Sequence, residues 1–105
     1  MLHIEMKPEK GILFILLEGQ LTKTTIDKFY NEVVYFVIKM GIQNIVIDLQ
    51  KIKKVDNEGQ KALLENFSKT REGQKYLYLE NENLIKNKNK FNILNKIKDY
   101  KNIKI

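Results

Sequence analysis

Cysteine is absent from the 105 residues, which excludes disulfides and thiolate metal sites and permits a reducing compartment. The only histidine is His3, so a histidine-based metal cluster cannot be assembled. It reads instead as a surface residue of a first strand. No apolar run approaches the ~20 residues of a membrane-spanning helix. The opening MLHIEMKPEK lacks the long apolar core of a signal peptide. These absences predict a soluble, cytoplasmic protein.

The motifs of common enzyme classes are missing as well. The chain has no G-x-G-x-x-G, no G-x-x-x-x-G-K-[ST], no G-x-S-x-G and no H-E-x-x-H. The single serine, Ser68, falls inside a helical pattern with no histidine near it, and reads as helix surface, not as a nucleophile. Asp48, Asp56 and Glu58 are the carboxylates nearest the ends of two elements. Such groups can bind Mg²⁺ or share acid and base roles, but strand ends and helix caps carry them for ordinary reasons. The expectation is a non-enzymatic chain that needs no cofactor and no metal.

What is present is lysine, isoleucine and asparagine, and the charge is unevenly placed. Residues 1–83 hold twelve basic and twelve acidic side chains. Residues 84–105 hold seven lysines against Asp99, which gives the whole net charge of +6. A basic tail can approach nucleic acid or an anionic surface. This one has no arginine and only Phe91 and Tyr100 as aromatics, so stacking on bases is poorly served. A solvated face is the better reading, and nucleic acid is not the expected partner.

Hydrophobic spacing then orders the elements. HIEMK alternates as a short strand ended by Pro8 and the turn at Lys10-Gly11, and ILFILLEG is a buried strand stopped by Gly19. In TKTTIDKFYNEVVYFVIKMG, residues Ile26, Phe29, Tyr30, Val33, Val37 and Met40 recur at helical spacing. Thr22 or Thr24 is placed to cap this helix, and Gly41 to follow it. NIVIDLQ is a second buried strand. Asp56 then caps a helix reaching about Thr70, with Val55, Gly59, Ala62, Leu63 and Phe67 facing inward. KYLYLE is a further strand, and a Lys/Asn-rich loop over about 81–90 follows. A helix around Phe91, Ile93, Leu94 and Ile97 and a short terminal NIKI strand complete the reading. The fold predicted is α/β: a mixed β-sheet of four to five strands with helices packed mainly on one face, forming one domain over residues 1–105.

The order of elements, together with LEGQLTKTTIDKF, NIVIDL and VDNEGQKALLE, resembles the STAS domain, specifically the anti-sigma factor antagonists of bacteria. The likeness is clear from Gly11 to Glu80 and weaker beyond, where the Lys/Asn loop looks like an insertion. In that family the segment after the third strand reads D-S-S-G or D-S-T-G. Its second hydroxyl is phosphorylated by a partner that is both anti-sigma factor and kinase, and phosphorylation blocks binding to that partner. The matching residues are Asp56, Asn57, Glu58 and Gly59. The location suits an anion, because backbone N–H groups converge at a helix N-terminus.

This chain departs from the family at the decisive place. Glu58 stands where the phosphorylated hydroxyl belongs, and Asn57 replaces the hydroxyl before it. A carboxylate accepts no stable phosphoryl group, so the usual switch is predicted to be absent. Glu58 either imitates the phosphorylated form or merely begins a helix, where its charge adds about 0.3–1 kcal/mol. A second departure is Thr22, where the family's G-x-L-D turn usually has aspartate. Thr24 and Thr25 are further hydroxyls in that turn, not distinguished from capping residues.

The resemblance implies a regulatory binding module for an anti-sigma factor of kinase-like fold, docking through the 20–25 turn and the 55–63 helix start. Lys53, Lys54, Asn57, Glu58, Gln60 and Lys61 are the expected polar rim, around exposed apolar positions. The alternatives are a non-phosphorylatable scaffold in a larger, self-associating complex, or a ligand-sensing domain that takes a nucleotide or another anion.

Overall fold

The chain's architecture follows from helical connections between adjacent parallel strands. The computed structural model describes residues 1–94, and its five strands lie in the order β1-β2-β3-β4-β5. β1 (Leu2–Glu9) runs antiparallel to β2 (Ile12–Leu21) across the turn at Lys10 and Gly11. β2, β3 (Ile45–Val55), β4 (Lys75–Tyr78) and β5 (Asn92–Leu94) are mutually parallel. Each step from β2 to β3 and from β3 to β4 moves the same way across the sheet. A right-handed crossover therefore puts both connecting helices on one face.

The first helix has three contiguous parts, α1 (Ile26–Phe29), a π-helical turn (Tyr30–Val34) and α2 (Tyr35–Lys39). The wider π turn inserts an extra residue into the rotation. Val33 and Val34 are consequently both buried, while Met40, expected inward, lies past the helix end and is 60% exposed. α3 (Asn57–Phe67) is the second helix. It is shorter than the sequence pattern suggested: it ends at Phe67, and Ser68 adopts an extended conformation beyond it. Ser68 is thus neither inside the helix nor at the surface, being 5% exposed with its hydroxyl 3.0 Å from that of Thr70.

The main core lies between this face and the helices. Leu13, Ile15 and Leu17 of β2, Ile45, Ile47 and Leu49 of β3, and Leu77 of β4 alternate onto it. Phe29 and Val33 come down from the first helix, and Ala62, Leu63 and Phe67 from α3. The rings of Phe29 and Phe67 meet edge to face with centroids 6.0 Å apart. On the opposite face Ile12, Val46 and Tyr78 form a smaller buried cluster.

Three boundaries differ from the sequence reading, the first at Pro8, which does not end β1 but lies within it, the strand running on to Glu9. Gly19 does not stop β2, which continues to Leu21. It sits inside the strand at φ +109°, where an added Cβ would lie 2.2 Å from the carbonyl oxygen of Met1. Phe91, Ile93 and Leu94 do not begin a helix. Asn92–Leu94 instead pairs with Tyr76–Tyr78, and Phe91 is buried against the core. Ile97 and the NIKI segment lie outside the described residues, as do four of the seven lysines of the basic tail. The Lys/Asn-rich segment carries two short 3₁₀ turns, Glu82–Leu84 and Lys88–Lys90, around the buried Ile85.

Candidate functional site

Ligand and partner sites in open α/β sheets collect outside the carboxyl ends of parallel strands. β2 and β3 end side by side here, Leu21 opposite Val55. The turn at 22–25 and the start of α3 must therefore adjoin. Asp56 joins them: one carboxylate oxygen accepts from the Gly59 amide at 3.0 Å and the other from the Lys23 amide at 2.8 Å. The first bond is the N-cap foreseen from the sequence. The second spans 33 residues and has no sequence signature.

Two backbone donors favour the ionised form. The Gly59 amide first and the Lys23 amide second hold the Asp56 carboxyl below its ordinary value, with Lys54 assisting. Asp56→Asn keeps the cap and loses the charge. A carboxyl with a lowered folded pKa contributes stability that is whole above its unfolded value near 3.8 and is lost as pH falls through the folded value. The expected result is a shallower acid-unfolding curve for the variant below about pH 4, read by circular dichroism.

Gly59 is fixed by space. A Cβ there would lie 2.3 Å from the carbonyl oxygen of Leu21 and 2.8 Å from a methyl of Val55. The same Leu21 carbonyl accepts from the Asp56 amide at 3.3 Å. The first turn of α3 is thus seated directly on the end of β2.

The hydroxyls of the facing turn have separate duties. Thr25, not Thr22 or Thr24, is the N-cap residue of α1, and no side chain caps that helix. The Thr25 hydroxyl is used within the turn, donating to the carbonyl of Gln20 at 2.9 Å and accepting from the Thr22 amide at 3.0 Å. Thr22 and Thr25 are 7% and 8% exposed, whereas Thr24 is open to solvent with its hydroxyl 3.1 Å from that of Thr22.

Asn57 and Glu58 are exposed at the first turn of α3. Asn57 accepts from the Lys86 ammonium at 3.1 Å through its side-chain oxygen. Gln60 was expected on the polar rim, but its amide is spent inside the chain. It donates to the carbonyl of Leu84 at 2.8 Å and accepts from the Lys86 amide at 3.0 Å. Gln60 thereby holds the Lys/Asn-rich loop over the helix start and delivers Lys86 to it. Lys23 and Lys86 are the site residues that sequence reasoning missed; both reach it only through tertiary pairing.

Other expectations for the site do not hold. Asp48 does not join Asp56 and Glu58; it accepts from the Gln50 amide at 3.0 Å and has Lys51 and Glu80 as its charged neighbours. Burial raises its pKa against the opposing effect of the Gln50 amide. The described residues contain no group of three acidic or histidine side chains able to hold a metal. The apolar centre expected at 20–25 and 55–63 is not there either. The large apolar side chains exposed among the described residues are Met1, Met6, Tyr35, Phe36, Ile38 and Met40. No described helix is long and apolar enough to cross a membrane.

The arrangement of sheet and helices is shared with solved structures. The chain is similar to an anti-sigma factor antagonist from Mycobacterium paratuberculosis at 16% identity and a TM-score of 0.76, over 94% of this chain and 90% of that one. It is similar to the anti-sigma factor antagonist SpoIIAA in its unphosphorylated form at 14% identity and a TM-score of 0.65, over 96% and 100%. An uncharacterised protein from Shewanella loihica with a SpoIIAA-like fold gives 12% identity and a TM-score of 0.52, over 93% and 88%. Identities this low establish a common fold. No curated protein matches the sequence significantly. The sequence profile of the STAS domain matches residues 3–103, almost the whole chain, and the chain belongs to the STAS domain family.

Proposed function

We propose that this STAS domain is a non-enzymatic regulatory module that binds an anti-sigma factor of the kinase type and is not switched by phosphorylation at residue 58. The observation that carries this reading is the Asp56 bridge, which fixes the 22–25 turn against the start of α3. Two loops that would otherwise move independently then present one preformed surface, which lowers the ordering cost of docking. The fold shared with anti-sigma factor antagonists supports the choice of partner.

Glu58 projects from this surface as an exposed carboxylate. It carries about one negative charge against the −1.5 to −2 of a phosphate, and offers no hydroxyl to a kinase. Thr22 and Thr25 are buried and hydrogen-bonded, which leaves Thr24 as the accessible hydroxyl of the turn. Glu58→Ser restores a phosphate acceptor at the helix start. Incubated with the kinase-type anti-sigma factor of the source organism and labelled ATP, the variant is expected to incorporate phosphate and the wild type to incorporate none. Label on the wild-type chain would overturn the expectation that it takes none and would point to Thr24, the accessible hydroxyl of the turn. A variant that neither takes label nor changes its affinity for the partner would remove residue 58 from the mechanism.

A further inference from the structure

A second site lies at the other end of the sheet. Lys75, the first residue of β4, pairs with Ile45 at the start of β3, whereas Asp56 follows the end of that strand. Beside Lys75 a cleft of about 220 Å³ opens between the C-terminal ends of the two helices. Val34, Val37 and Phe67 supply apolar wall, and Arg71, Glu72 and Lys75 supply charge.

The state of Lys75 is unusual for a lysine. The residue is only 7% exposed, and its ammonium donates to two backbone carbonyls, that of Gln43 at 2.8 Å and that of Glu72. Carbonyl dipoles satisfy two of its three N–H groups without neutralising its charge. None of the ion pairs among the described residues includes Lys75 or Arg71. Burial first, and the Arg71 guanidinium second, hold the Lys75 pKa below its ordinary value, with Glu72 opposing. Two cations and one carboxylate line the cleft, a surplus of one positive charge.

That surplus matches a monoanion, and a doubly charged phosphate would leave net negative charge against an apolar wall. At about 220 Å³ the cleft lies below the roughly 300–1,000 Å³ of sites for drug-sized ligands, which limits the occupant to a small molecule. We propose that this cleft binds a small monocarboxylate with a short apolar body, its carboxylate on Lys75 and Arg71 and its apolar part against Val34, Val37 and Phe67. The site is separate from the α3 entrance and does not depend on the partner assigned there.

Benzoate is a suitable probe, followed by ¹⁵N amide shifts on the full chain. Saturable shifts at Val37, Gln43, Phe67 and Lys75, with none at Lys23 or Glu58, are expected. Benzamide, the neutral isostere, is expected to bind at least about tenfold more weakly, as the loss of a charge-assisted hydrogen bond requires. Arg71→Gln alters an exposed side chain and leaves the fold intact; it is expected to weaken benzoate by a similar factor. Lys75→Met is expected to abolish binding, and the Arg71 variant decides the matter if Lys75→Met fails to fold. Absence of saturable shifts at millimolar benzoate, equal binding of benzamide, or unchanged binding by Arg71→Gln would overturn the proposal.

Discussion

Replacing Phe67 by alanine is expected to destabilise the domain by about 3–5 kcal/mol, the range found for emptying a buried phenylalanine site. Phe67 is 1% exposed, at the last turn of α3, and its ring meets the edge of Phe29 from the first helix. Phe29 is itself fully buried, so neither ring can swing out to fill the space its partner leaves. Helix α3 is anchored at its start by Asp56 and Gly59 and at its end by this aromatic pair. Since whole domains are stable by only about 5–15 kcal/mol, the variant is expected to be marginal or partly unfolded at 37 °C. Urea denaturation followed by far-UV circular dichroism measures the loss. A cost under about 1 kcal/mol would mean that the two helices do not share the core described here.

Gly59→Ala tests the seat of the candidate site. In an ordinary exposed helix, alanine gains up to about 1 kcal/mol over glycine. At residue 59 the new methyl would sit 2.3 Å from the Leu21 carbonyl, part of the backbone of a buried strand end that cannot turn aside. The helix start must move away, stretching the bonds from Asp56 to Gly59 and Lys23. Overpacking of this kind costs about 1–3 kcal/mol, so net destabilisation near 2 kcal/mol is expected despite the better helix former. For a domain of this size that is a drop in Tm of roughly 8–16 °C. Lys61→Ala, on the exposed side of the same helix, is expected to change Tm little. A rise in Tm for Gly59→Ala would contradict the close approach of α3 to β2.

The two helices and β2, β3 and β4 were legible because their burial is patterned: α3 places Gly59, Ala62, Leu63 and Phe67 on one face, and β3 opens on the apolar Ile45, Val46 and Ile47. The last element was not. Phe91, Ile93 and Leu94 fit a helical stripe as well as a strand, and only pairing with Tyr76–Tyr78 decides in favour of β5. Gly19 read as a stop because sequence carries no sign of the Met1 carbonyl that needs its missing side chain. The π turn likewise has no local signature, and it reset the inward face from Met40 to Val34.

The candidate site divides in the same way. Asp56 and Gly59 stood out because a cap and a tight helix start impose local residue choices. Lys23, Gln60 and Lys86 take their places through contacts 24 to 33 residues apart, which a single sequence does not encode visibly. Gln60 shows the difference well. Its polar character suggested a partner contact, yet the chain uses both ends of its amide to hold its own loop.

The regulatory reading is tested by titrating the kinase-type anti-sigma factor of the source organism with this chain in a calorimeter, using wild type, Glu58→Lys and Lys39→Ala. Glu58 is exposed at the α3 entrance, and Lys39 is exposed at the end of the first helix, remote from it in sequence and fold. The account predicts saturable binding by wild type, an altered Kd for Glu58→Lys, and no change for Lys39→Ala. No binding by the wild-type chain, or binding indifferent to Glu58→Lys, would contradict it.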